Sequence, residues 1–171
     1  LVGSLLKLSK LDAGAVIMKQ ENIPVSKLVK KALESLSIPA EIKALHIQIE
    51  GEEDVDFTGD FHWSHEALIN ILRNCIEHSP EQGLLKIQFQ KNLLHTLIRV
   101  TDCGAGIAKE DLPHIFTRFY KGKNAAPDQV GIGLAMAKAI VEKQGGDITA
   151  MSEQGRGTEF TIKFYNGREN V

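Results

Sequence analysis

The sequence predicts an α/β domain in two layers, helices alternating with antiparallel strand pairs. Three observations carry this. Segments with the 3.6-residue apolar period of a helix alternate with segments of two-residue period, and the strand-like segments come in pairs joined by short turns. A chain of 171 residues with 43% hydrophobic content is long enough for one real core. The formal charge of -2, from 20 basic and 22 acidic residues, supplies no general attraction to nucleic acid or an anionic membrane. Two cysteines, Cys75 and Cys103, fit a reducing compartment better than a disulfide framework. No stretch approaches the roughly 20 apolar residues of a membrane span, so a soluble fragment is expected.

The elements follow in order. Leu1, Leu5, Leu8 and Leu11 repeat with helical spacing and end near Gly14, as the tail of a longer helix does. Ala15 to Gln20 reads as a short strand. Val25 to Leu36 reads as a helix entered at Pro24 or Ser26 and stopped near Pro39, burying Leu28, Val29, Ala32, Leu33 and Leu36. Leu45, Ile47 and Ile49 alternate with His46, Gln48 and Glu50 as in a half-buried strand. Glu52-Glu53-Asp54 is a solvated turn, and Val55 to Thr58 a second short strand. His62 to His78 forms a helix closed by Ser79-Pro80; Leu68, Ile71, Leu72, Cys75 and Ile76 face inward, while Glu66, Asn70, Asn74 and His78 share another stripe.

Leu84 to Gln90 and Leu93 to Val100 read as a hairpin with Lys91-Asn92 at its tip, which places Asp102-Cys103-Gly104-Ala105-Gly106 at the end of a central strand. Ile115, Phe116, Phe119 and Tyr120 form an aromatic knot in which Phe116 and Phe119 anchor the mobile loop Lys121 to Gln129. Gly131-Ile132-Gly133 opens a helix carrying Leu134, Ala135, Ala137, Ile140 and Val141, stopped by Gly145-Gly146. Ile148 to Met151 and Glu159 to Phe164 make a terminal strand pair, and Asn166 to Val171 frays.

Several of these residue types converge on polyphosphate chemistry. The side-chain oxygen of Asn74 can ligate Mg²⁺ without adding negative charge, and Asn70 lies one turn earlier within reach of the same phosphates. Asp102 can accept from an exocyclic amine such as adenine N6. Gly104 and Gly106 allow close backbone approach. Gly131 and Gly133 precede a helix whose N-terminal amides can receive phosphate oxygens. There is no GxxxxGK[ST], and the DxGxG run opens no βαβ unit, so neither a P-loop nor a Rossmann fingerprint is present.

In order along the chain, WSHEALINILRNCIEHS (Trp63 to Ser79), DCGAGI (Asp102 to Ile107), IFTRFY (Ile115 to Tyr120), GIGLA (Gly131 to Ala135) and GRGTEF (Gly155 to Phe160) resemble the nucleotide-binding boxes of the histidine-kinase catalytic domain. That domain sits in the ATPase superfamily of gyrase, Hsp90 and MutL. The resemblance implies a Bergerat fold, a two-layer α/β sandwich whose mixed, mostly antiparallel sheet carries three main helices on one face. It implies ATP and Mg²⁺ as cofactors, with Asn74 on the metal, Asn70 at the phosphate end and Asp102 on the adenine amine. Asn70 and Asn74 are then the catalytic candidates. Gly104, Gly106, Ile107 and Leu134 shape the base pocket with Thr158. His78, Tyr120, Gly131 and Gly133 border the nucleotide, and Arg118, Lys121 and Lys123 contact phosphate as the lid closes.

By the same resemblance residues 1–13 end a dimerisation and histidine-phosphotransfer helix, 14–165 form the catalytic domain and 166–171 a frayed tail. The implied partners are that helical domain and, through the whole protein, a response regulator. The implied parent is a homodimer anchored in the bacterial membrane with this domain in the cytoplasm. The expected activity is transfer of the γ-phosphoryl group to a histidine outside this chain, because His46, His62, His65, His78, His95 and His114 all lie in surface or structural contexts. Two other readings stay open: a nucleotide-responsive binding module without catalysis, and an ATP-hydrolysing switch. One position departs from the family, Glu77, where a basic residue is usual.

Overall fold

The computed structural model describes residues 2–122 and 130–167. Lys123 and most of the loop expected at 121–129 lie outside the described residues. The helices are α1 (Val2–Asp12), α2 (Val25–Ser35), α3 (Ser37–Ile42), α4 (Phe61–His78) and α5 (Gly133–Lys143). The strands are β1 (Glu21–Pro24), β2 (His46–Gly51), β3 (Asp56–Gly59), β4 (Leu84–Lys91), β5 (His95–Asp102), β6 (Asp147–Glu153) and β7 (Gly157–Tyr165).

A five-stranded sheet runs β2-β4-β5-β7-β6, parallel only between β2 and β4. The helices α2, α4 and α5 pack as one layer, α4 and α5 meeting the sheet at β5 and β6. Period-two alternation sends Leu85, Ile87, Ile98, Val100, Phe160 and Ile162 inward, where they meet Leu68, Ile71 and Leu72 of α4 and Met136 and Ile140 of α5. The other face is polar, with Lys86 pairing Glu50 at 3.0 Å and Arg99 pairing Glu159 at 3.2 Å. This is the mixed, mostly antiparallel two-layer sandwich that the sequence predicts.

Helix α4 carries the site and is fixed at both ends. Asp60 caps it, Oδ1 accepting from the Trp63 N–H at 3.0 Å and Oδ2 from the Lys19 N–H at 2.9 Å. At its far end Lys43 Nζ donates to the carbonyls of Glu77 (2.6 Å) and Ser79 (2.8 Å), satisfying acceptors that the helix leaves without partners and placing a cation at the negative end of its dipole.

Five expectations are corrected. Residues 15–20 are not a strand: the Lys19 N–H goes to the α4 cap, Ile17 points to solvent, and the strand forms at Glu21–Pro24, where Ile23 pairs with Phe57. Pro39 does not end the helical region. It sits in the first turn of α3, where a missing N–H costs nothing, and the break falls at Leu36. Ile47 and Ile49 are 40% and 49% exposed, because β2 is an edge strand that the helical layer does not cover. Phe119 is 59% exposed rather than an anchor, whereas Phe116 packs edge-on against Phe160. The β4–β5 turn also runs one residue longer than expected, with Leu93 and Leu94 beyond the Asn92 carboxamide.

Candidate nucleotide site

A cavity of about 740 Å³ opens between α4, the turn after β5, the start of β7 and the N-terminus of α5. Helix periodicity delivers Asn70, Asn74 and His78 to it from one stripe of α4, with Arg73 and Glu77 alongside. Asn70 Nδ2 donates to the Glu66 carbonyl at 2.9 Å, which commits one of its two N–H donors to the helix. Its side-chain oxygen lies beside Gly133, at the first turn of α5.

Asp102 ends the central strand and is only 4% exposed. Its Oδ1 accepts from the N–H groups of Gly104 (2.9 Å) and Thr158 (3.2 Å), so backbone donors hold the carboxylate in one orientation. Directly behind it, burial first and then the Asp102 charge push the Cys75 thiol well above its ordinary range, keeping it neutral. The glycines act through space as much as through conformation. A side chain at Gly104 would meet the His78 carbonyl; Gly106, at φ +74°, turns so that a Cβ would strike the Glu153 backbone.

The segment leading to Gly122 is tied down by short-range bonds. The Phe119 N–H donates to the Gly131 carbonyl at 2.8 Å, and Phe119 adopts φ +62°, rare for an aromatic residue. Tyr120 Oη donates to Asp111 Oδ1 at 2.6 Å, a bond that favours the neutral phenol and raises its pKa. Ile107 and Leu134 supply apolar wall, and the exposed N-terminal amides of α5 face the same space.

The sequence profile of histidine kinase-, DNA gyrase B- and HSP90-like ATPases matches residues 59–167, which cover every one of these groups. The chain belongs to this ATPase family. Within the family its likeness is to sensor kinases. It is 36% identical to the heme sensor protein HssS of Staphylococcus saprophyticus over 96% of its length, and 30% identical to the sensor histidine kinase YclK of Bacillus subtilis over 95%. It spans only about 35% of the length of each. The Acinetobacter baumannii histidine kinase AdeS superposes with a TM-score of 0.82 at 25% identity, covering 98% of this chain and 78% of that one. A full-length structure of ShkA in complex with AMPPNP gives 0.83 at 22% identity, covering 96% and 35%, a likeness of fold. The sheet and helical layer are those of the Bergerat fold that defines the family.

Of the residues expected at the site, Asn70, Asn74, His78, Asp102, Gly106, Ile107, Tyr120, Lys121, Gly131, Gly133, Leu134 and Thr158 line the cavity of this family member. Gly104 does not line it but lets the turn pack against α4. Arg118 stands apart, donating to Asp12 of α1 at 2.5 Å. Lys123 lies outside the described residues. Sequence reasoning passed over Ser152, Asp111 and Lys43. None had a legible local signal: the expected strand pair stopped at Met151, one residue short of the register that sets Ser152 opposite Thr158.

Proposed function

We propose that this domain binds Mg-ATP in the α4–α5 cavity and presents the γ-phosphate to a histidine on a helical dimerisation domain. The observation that carries this reading is the convergence of Asn70, Asn74, Asp102, Gly106 and Thr158 on one cavity walled by the N-terminus of α5. Asp102 accepts the adenine amine, Ile107 and Leu134 flank the base, and the α5 amides with Lys121 receive the phosphates. His78 and Tyr120 border the nucleotide, and Arg118 and Lys123 are further candidates for phosphate contact.

The donor set fits Mg²⁺ held largely by its nucleotide. Among the described residues no group of three or more His, Cys, Asp or Glu side chains could hold a metal, whereas Asn74 offers a neutral oxygen in the cavity. When bound, Mg²⁺ offsets the charge of the β- and γ-phosphates. The protein's own part is orientation and electrostatic stabilisation of the transferring group, because the nucleophile comes from elsewhere. Asn70 stands one turn before Asn74, where related ATPases use a glutamate to activate water. An amide is a poor general base, which favours transfer over hydrolysis.

On this reading residues 1–13 end the dimerisation helix, residues 14–165 are the catalytic domain, and the whole protein is a membrane-anchored homodimer that signals through a response regulator. The test is Mg-ATP with the cognate histidine-bearing domain added in trans. Phosphohistidine should appear on that domain and not on this chain alone. Lid protection without transfer would instead indicate a binding module, and sustained phosphate release without transfer a hydrolytic switch.

A further inference from the structure

We propose that Ser152 locks the Thr158 hydroxyl as a hydrogen-bond acceptor, so that the base end of the cavity selects an exocyclic amine over a keto oxygen. The inference rests on the nucleotide reading of the cavity. It follows from a proton count at one hydroxyl.

Ser152 lies on β6 opposite Thr158 on β7. Its Oγ makes three contacts: the Ile107 N–H at 2.8 Å, the Gly157 carbonyl oxygen at 2.8 Å and Thr158 Oγ1 at 2.9 Å. A hydroxyl has one proton and two lone pairs. The Gly157 carbonyl can only accept, so the Ser152 proton goes there. The Ile107 N–H can only donate, so it takes one lone pair. The remaining contact therefore uses the second lone pair, and Thr158 is the donor in it. Its own proton spent, Thr158 Oγ1 keeps only lone pairs.

Thr158 is 6% exposed and lines the cavity next to Asp102, whose Oδ1 takes its backbone N–H. A carboxylate is likewise acceptor-only. Two neighbouring acceptors reward a ligand edge that brings an NH₂ group. A keto oxygen placed there meets lone pairs and stays unpaired away from water, the arrangement by which polar sites reject near-isosteric ligands. Ser152 thus acts as a positioning residue. It also ties the Ile107 wall to the β6–β7 hairpin.

Affinities for ATP and ITP, which differ at the amine and keto position, are measured by calorimetry for the wild type, Ser152→Ala, Ser152→Thr and Thr158→Val. The wild type should prefer ATP. Ser152→Ala frees the Thr158 proton, and Thr158→Val removes the acceptor; each should narrow the ATP-to-ITP ratio about fivefold to tenfold, the scale of one hydrogen bond. Ser152→Thr keeps a hydroxyl and should keep the ratio. Equal weakening of both ligands in Ser152→Ala and Thr158→Val, with the ratio intact, overturns the relay and leaves the nucleotide reading standing. A wild type that binds neither nucleotide overturns both.

Discussion

Arg118, in the segment between the Leu112–His114 turn and Gly122, donates to Asp12 Oδ1 on α1 at 2.5 Å. Lys7, one face of the same helix earlier, donates to Glu66 Oε2 of α4 at 2.8 Å. The helix is thereby clasped to both walls of the cavity, with Ser4 at its edge, and Arg118 is held away from the space it is expected to serve. Asp12→Asn removes the pair without changing bulk. Nucleotide affinity, measured by calorimetry, should rise about threefold as Arg118 becomes available, the effect of one exposed ion pair. An affinity unchanged by Asp12→Asn would mean that Arg118 does not reach the phosphates.

The same pair has an acid limit. Asp12, Glu50 and Asp56 are each held below the ordinary carboxylate range, in every case first by a hydrogen bond from a cation: Arg118, Lys86 and Lys91 respectively. A folded pKa below the unfolded value means that the unfolded chain binds more protons as pH falls. The stabilisation is complete above about pH 4, the ordinary carboxylate value, and is lost as pH drops through the lower folded values. The melting temperature should hold from pH 7 to about 5 and decline below about 4, and Lys91→Ala should make that acid decline shallower. A melting temperature flat down to pH 3 would contradict the assignment.

Gly106 tests the turn after β5. Alanine there faces a positive φ and a collision with the Glu153 and Gln154 backbone, neither of which is a flexible side chain that can step aside. Gly106→Ala should cost about 2 kcal/mol or more in urea unfolding and weaken adenine nucleotides further. Gly155→Ala is the control, since it shares a positive φ but has open space around it. It should lose about 1 kcal/mol and leave binding unchanged.

What was legible in the sequence divides along a physical line. Helix α4 and the β4–β5 hairpin could be read because long periodic runs and close turn residues are local signals, and α4's stripe of Asn70, Asn74 and His78 follows from the helical period alone. The misplaced strand at 15–20 and the missed helix α3 were decided by tertiary partners: the Asp60 cap takes the Lys19 N–H, and a proline is harmless in a first turn. Ile47 and Ile49 alternate as a buried strand does, yet periodicity carries no information about which strand lies at the edge. Arg118 and Lys43 depend on partners 106 and 34 or 36 residues distant in sequence, beyond any local pattern.

Asn74 separates metal binding from folding. It is half-buried on α4 and lines the cavity, so on the proposed reading Asn74→Ala removes an oxygen ligand and little packing. Unfolding free energy should change by less than about 0.5 kcal/mol. Nucleotide affinity with Mg²⁺ should fall about tenfold or more, while affinity with EDTA present should barely move. Equal losses with and without the metal would assign Asn74 to the nucleotide itself.

Glu77 is an acid on the cavity wall, at the position where the family resemblance leads one to expect a base, and the structure sharpens what it does. Its carbonyl, not its carboxylate, receives Lys43 Nζ at 2.6 Å. The cap on α4 therefore survives any change of side chain. A carboxylate lining the same cavity as a triphosphate opposes it by about 1 kcal/mol through a partly aqueous path. Glu77→Gln keeps the size and removes the charge. ATP should bind about threefold to fivefold tighter at low salt, with the gain shrinking at higher ionic strength as screening shortens the reach of the charge. Adenosine, which has no phosphate, should bind both proteins alike. An equal gain for adenosine would place the effect in the base pocket, and no gain for either would show that Glu77 is not what limits the affinity.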